Sequence, residues 1–161
     1  MSDVSDIPCQ CECGQTQLSL IKPPMLRFHC HCTICQNLYK RPFSDVTVMW
    51  ASNVKLIQGK RMEYRRPGLL LKRGVCTGCE QPLLAYMTLF PGLKLAFVPG
   101  NRYSNPSALI GGLPKPSAHI FFHRSEQEID DGIGKYKGFI VSELVISWLI
   151  LKSAIVQLFK R

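Results

Sequence analysis

The chain has 161 residues, 46% of them apolar and 19% charged, with a formal net charge of +9. That balance excludes a disordered chain and fits one domain with a core of its own. The basic residues are dispersed and form no long arm, so a nucleic-acid partner is not expected, whereas an anionic small substrate would be drawn to the surface.

Residues 1–8 read as a flexible lead. Residues 15–21, QTQLSLI, alternate loosely as a strand does, and Pro23-Pro24 break them. A second strand is expected over 26–32. Thr33 is expected to cap a short helical turn, TICQNLYK, that ends at Pro42. Strands over 46–51 and 54–58 flank a turn at Ser52-Asn53. Further short strands fit 62–65, 69–73, 83–88, 93–98 and 118–123, with Gly or Pro in nearly every interval.

The last segment differs. Residues 139–159, FIVSELVISWLILKSAIVQLF, contain no Gly or Pro and predict a helix starting after Gly138. Glu143 and Lys152 interrupt its apolar run, so a membrane span is not expected. Packing on the β core or on a partner is expected instead, self-association through the helix included. The organisation expected is a lead over 1–8, a β-rich domain over 9–138 and a helical extension over 139–161.

Eight cysteines stand out. The opening residues, MSDVSDIPC, lack the basic and apolar segments of a signal peptide. A reducing, cytoplasmic setting is therefore expected, with thiolates rather than disulfides. The cysteines fall into three groups: Cys9, Cys11 and Cys13; Cys30, Cys32 and Cys35; Cys76 and Cys79.

In CTGC, Gly78 allows the tight turn that brings two sulfurs to one ion. Cys11 and Cys13, two apart on a strand, share a face and supply two more. Cys11, Cys13, Cys76 and Cys79 thus compose a closed tetrahedral site of the structural zinc type. In HCHCTICQ, Cys30 and Cys32 share a face and Cys35 joins them round the following turn. Three thiolates leave a fourth position vacant, as catalytic zinc sites do. Cys9, His29 or His31 are the alternatives for closing it, and strand alternation turns the histidines away. Cys9 otherwise stands as a spare thiol.

CECG, CHCTICQ and CTGCEQPLL, in that order, resemble the glutathione-dependent formaldehyde-activating enzyme family, which also includes centromere protein V. The similarity runs from about Cys9 to Phe139, with HIFFHRSEQEIDDGIGKYKGF similar to the closing part of bacterial members. The resemblance implies a mainly β fold, a β-tent of antiparallel sheets clipped by zinc, here with a C-terminal α-helix. It implies two zinc ions per chain: a structural one on Cys11, Cys13, Cys76 and Cys79, and a labile, catalytic one on Cys30, Cys32 and Cys35. It also implies carbon–sulfur lyase chemistry joining glutathione and formaldehyde into S-hydroxymethylglutathione. Glu80 departs from the pattern, which commonly has Gly there, and so does Cys9.

A general acid is not obvious. His29, His31, His119 and His123 are candidates, with His31 placed to orient a ligand. Asp130 and Asp131 are candidates to ligate or orient. Tyr39, Phe43 and Trp50 are candidates to line a pocket. The competing readings are a non-catalytic, zinc-stabilised binding module and a glutathione carrier.

Overall fold

The structure is a computed structural model and describes residues 6–58, 62–65, 70–109 and 112–159. Its first elements are β1 (Ile7–Gln10), β2 (Gln17–Leu20), β3 (Leu26–Cys30), α1 (Thr33–Tyr39), β4 (Ser44–Trp50) and β5 (Val54–Gln58). There follow β6 (Met62–Arg65), β7 (Leu71–Cys76), β8 (Pro82–Phe90), β9 (Leu93–Pro99), β10 (His119–Ile120) and α2 (Phe139–Phe159). The sheets are open, and the expected architecture, mainly β with a C-terminal helix, is the one found. Residues 1–5 of the expected lead, residue 69 of the 69–73 strand and residues 160–161 of the extension lie outside the described residues.

The chain forms two compact units, Met1–Pro24 with Val48–Leu113, and Met25–Thr47 with Pro114–Arg161. In the first, β1, β2 and β5 form an antiparallel sheet in that order, with Ile7 opposite Leu20 and Cys9 opposite Leu18. β1 begins inside the segment expected as a lead, because Ile7 and Cys9 alternate inward onto a core. That core gathers Leu18, Leu20, Met49, Leu83 and Val98. Each fully buried side chain of this kind contributes about 1.5–3 kcal/mol. β9, β8, β7 and β6 form an antiparallel ladder in that order.

In the second unit, β3 alternates as the strand period requires: Leu26, Phe28 and Cys30 are buried, Arg27 and His29 half-buried. The Arg27 guanidinium holds both Asp45 oxygens, Nε to Oδ1 at 2.8 Å and an amino nitrogen to Oδ2 at 2.7 Å. β10 pairs with β3 in parallel, with His119 opposite His29 and Ile120 opposite Cys30. This departs from the all-antiparallel expectation. Parallel pairing needs a long connection, and the chain between these strands supplies it. β10 is also shorter than the 118–123 strand expected, because Phe121 turns left-handed at φ 54° and Phe122–Arg124 coil into a 3-10 turn.

α2 has the expected residues and packs little on the rest of its own chain. Only Ser142 and Ile146 are buried. Phe139, Ile140, Leu144, Trp148 and Leu158 all lie more than half exposed. The segment is apolar on every face, so no single stripe can satisfy it by lying on a sheet. By length and composition alone the helix could cross a membrane, and 11% of its apolar window is buried. It is tethered by polar contacts: the Phe121 N–H donates to Ser142 Oγ at 2.8 Å, and Ser142 Oγ donates to the Tyr136 carbonyl at 3.3 Å.

Candidate metal centres

The four-cysteine set assembles in the first unit. Cys11 and Cys13 lie not on a strand, as expected, but in the turn that follows β1. The Gly14 N–H closes that turn onto the Cys11 carbonyl at 3.1 Å, and Gly14 takes φ 71°, which an unbranched backbone accepts freely. Cys76 ends β7, and the Glu80 N–H closes the second turn onto the Cys76 carbonyl at 2.8 Å. The donor atoms of Cys11, Cys13, Cys76 and Cys79 lie within 4.8 Å of one another.

The spacing suits a metal. Cys11 Sγ and Cys13 Sγ are 3.4 Å apart, and Cys13 Sγ and Cys76 Sγ 3.7 Å. Four sulfurs about 2.3 Å from a tetrahedral zinc stand about 3.8 Å apart. Backbone N–H groups already face these sulfurs, Thr16 onto Cys11 at 3.3 Å and Gly78 onto Cys76 at 3.4 Å. Burial raises the Cys76 thiol, but the neighbouring Thr16 side chain and the Cys79 and Gly78 N–H groups outweigh it and bring the pKa down to about 6. Gly78 does not take a positive φ, and a Cβ there would displace the end of the exposed Gln15 side chain and stand 3.3 Å from Cys13 Sγ.

Arg102, whose spacing in the sequence carries no signal, joins the two turns. Its side chain is 4% exposed and reaches Glu12 Oε1 at 3.4 Å and Gln81 Oε1 at 2.5 Å. Arg102 thereby ties the Cys11–Cys13 turn to the segment that follows Cys79.

The three-cysteine set assembles in the second unit, where the donor atoms of Cys30, Cys32 and Cys35 lie within 4.8 Å of one another. Cys30 ends β3, and Cys32, not Thr33, caps α1: its Sγ accepts the Cys35 N–H at 3.4 Å. Cys30 and Cys35 are buried and Cys32 is partly open. Hydrogen bonding with Cys32 and Cys35 holds the Cys30 thiol well above its ordinary range. For Cys35, a bond with Cys30 lowers the pKa, but Cys32 and burial prevail and raise it to about 11. Thiols crowded this way ionise together only around a cation. The donor set and its charge fit zinc in both clusters.

A family model described as glutathione-dependent formaldehyde-activating enzyme, GFA, matches residues 6–124. The chain belongs to the GFA family. No curated protein matches it. One solved structure, a crystal structure of a Rhodobacter sphaeroides protein, is 14% identical, covering 81% of this chain and 100% of that one with a TM-score of 0.48.

Within the GFA match, Glu80 stands in the left-handed region at φ 54°, a conformation that favours glycine. Its carboxylate pairs with Arg65 at 3.1 Å on the surface. Cys9 lies in the core of the first unit, 1% exposed, and belongs to neither sulfur cluster. Burial pushes its pKa to about 12, the behaviour of a spare apolar thiol.

The histidines are brought together on the other face of β3. His31 Nε2 lies 2.9 Å from His119 Nδ1, and His119 Nε2 lies 2.7 Å from Asp131 Oδ2. His31 and His119 are fully buried. Phe43, half-buried, packs on the rings of His29 and His31, and Phe122 packs on His31 and His119. His123 accepts the Gly138 N–H at 2.9 Å and so shapes the entry to α2. Asp130 is exposed, and Tyr39 and Trp50 are half-buried. The pairing of His119 with Asp131 is invisible in the sequence, because the two polar side chains stand twelve positions apart with a 3-10 turn between them.

Proposed function

We propose that this GFA chain is a zinc-dependent enzyme of the carbon–sulfur lyase type that joins a thiol, glutathione, to a small aldehyde such as formaldehyde. The supporting observation is the contrast between its sulfur clusters. One offers four donors. The other offers three, with Cys32 partly open beside buried Cys30 and Cys35. The four-donor cluster holds a structural zinc between two turns more than sixty residues apart in the chain. The three-donor cluster has a position for substrate.

Zinc on Cys30, Cys32 and Cys35 carries net negative charge, is a weak Lewis acid and supplies a place where a fourth thiol stays deprotonated near neutral pH. Cys30 and Cys35 anchor the cluster from β3 and α1, and Cys32 leaves the approach open. The substrate sulfur forms a bond to the aldehyde carbon, and the thiol proton ends on the aldehyde oxygen, giving S-hydroxymethylglutathione. Proximity supports the rate. The net charge of +9 attracts anionic glutathione.

The test mixes zinc-loaded protein with glutathione and formaldehyde and follows the adduct by NMR. Wild type accelerates its formation. Cys32→Ser, which keeps a capping side chain on α1, abolishes the acceleration. A rate equal to the uncatalysed mixture overturns the reading. Tight glutathione binding without acceleration assigns the site to carriage instead.

A further inference from the structure

A third group of donors lies apart from the two sulfur clusters. His29, His119 and Asp131 each bring a donor atom within 4.8 Å of the other two. Register places them together: His119 sits directly opposite His29 across the parallel β10–β3 pair, and neither shares the face of Cys30.

Each of the three has a polar group behind it. His29 Nε2 faces Asp45 Oδ1 at 3.6 Å, longer than a hydrogen bond, and Asp45 is itself fixed by Arg27. His119 Nδ1 meets His31 Nε2 at 2.9 Å. Asp131 Oδ1 accepts the Ile133 N–H at 3.1 Å and Lys135 Nζ at 3.0 Å. Outward partners on every ligand are the pattern of metal sites, because they fix ring orientation and tautomer. The donors not engaged by these partners are His29 Nδ1, His119 Nε2 and Asp131 Oδ2. Of these, His29 Nδ1 is buried with no hydrogen-bond partner, as is His31 Nδ1 behind His119.

We propose that His29, His119 and Asp131 form a cation site for a divalent first-row transition ion. Two imidazoles and one carboxylate make a three-ligand face that leaves further positions for water or a ligand. Exposure grades across the site, His119 at 1%, His29 at 13% and Asp131 at 31%, so the carboxylate marks the entry side. The protons balance without release. In the metal-free form Asp131 Oδ2 accepts the His119 Nε2 proton. On binding, the His119 proton is carried on Nδ1 and donated to His31 Nε2, while the proton that His31 Nε2 donated in the metal-free form shifts to His31 Nδ1. The site stands independently of the thiol chemistry proposed above, since none of its ligands is a sulfur.

The experiment titrates metal-free, full-length protein with cobalt(II). Thiolate-bound cobalt gives an intense sulfur-to-metal charge-transfer band, and imidazole–carboxylate cobalt does not. Bound cobalt is counted by mass spectrometry after equilibrium dialysis. The expected result is one equivalent beyond the point where the charge-transfer band saturates. Asp131→Ala and His29→Gln lose that equivalent, or weaken it by at least about tenfold, with the band unchanged. The unchanged band also certifies the fold of each variant. Should either variant fold poorly, the other decides. Cobalt binding that stops at saturation of the band in wild type overturns the proposal, and so does an extra equivalent that survives both substitutions.

Discussion

Cys32 Sγ accepts the backbone N–H of Cys35 at 3.4 Å, so one sulfur both caps α1 and belongs to the three-thiol cluster. The two roles separate by substitution. Serine retains an N-cap acceptor and alanine does not, at a difference of about 1 kcal/mol. Cys32→Ser should therefore melt about 2–4 °C above Cys32→Ala. Both should lose the same metal equivalent. Equal melting temperatures in the two variants contradict the capping role.

Removing Cys79 opens the four-sulfur cluster and unclips two distant turns. Cys79→Ser is expected to cost more than about 4 kcal/mol, the range reserved for loss of a structural metal. Calorimetry should show the melting temperature falling by about 10 °C or more. Cys35→Ser, by contrast, should lose one zinc by mass spectrometry and melt close to wild type.

The turn at CTGC makes opposite predictions for two neighbouring positions. Gly78→Ala displaces only the end of the exposed Gln15 side chain and crowds Cys13 Sγ at 3.3 Å, so it should destabilise by no more than about 1 kcal/mol. Glu80→Gly relieves a left-handed residue at φ 54° and gives up only an exposed ion pair with Arg65. A net gain of about 0.5 kcal/mol is expected, read as a rise in denaturant midpoint.

Burial, with neighbouring His119 and His29, lowers the His31 pKa to about 4 from 6.5. The unfolded chain therefore binds more protons in that window, and stability falls as pH drops through it. From about pH 7 to about pH 5.5 the loss attributable to His31 is roughly 1 kcal/mol. Urea midpoints of wild type and His31→Gln across that range test it. A slope that survives the substitution places the proton elsewhere.

Ser142 holds α2 to the turn at Phe121 through its hydroxyl, accepting at 2.8 Å. Ser142→Ala leaves that N–H without its partner and should cost about 1–3 kcal/mol. Limited proteolysis should cut the segment before α2 faster in the variant. An unchanged cleavage rate denies Ser142 its anchoring role.

Most of the short strands, the two helices and both cysteine groupings were legible in the sequence, whereas β1, inside the expected lead, was not. Period-two alternation, Gly and Pro punctuation and Cys-x-Cys or Cys-x-x-Cys spacing are local signals, and local chemistry produces them. The one-residue capping choice at Cys32 over Thr33 escaped, because either side chain can accept a hydrogen bond. So did the turn at Cys11 and Cys13, since alternation alone cannot distinguish a strand from a turn closed by Gly14.

What the sequence by itself determined is the donor inventory: which thiols exist, how they are spaced, and that one set has four members and another three. Only the tertiary structure decided that Cys9 belongs to a core, that Arg102 bridges both turns, and that His119 meets His31 and Asp131. It alone decided, too, that α2 leaves most of its apolar surface open. The reason is range. Spacing constrains residues a few positions apart, whereas these contacts depend on strand pairing and loop closure between residues far apart in the chain, which no local pattern encodes.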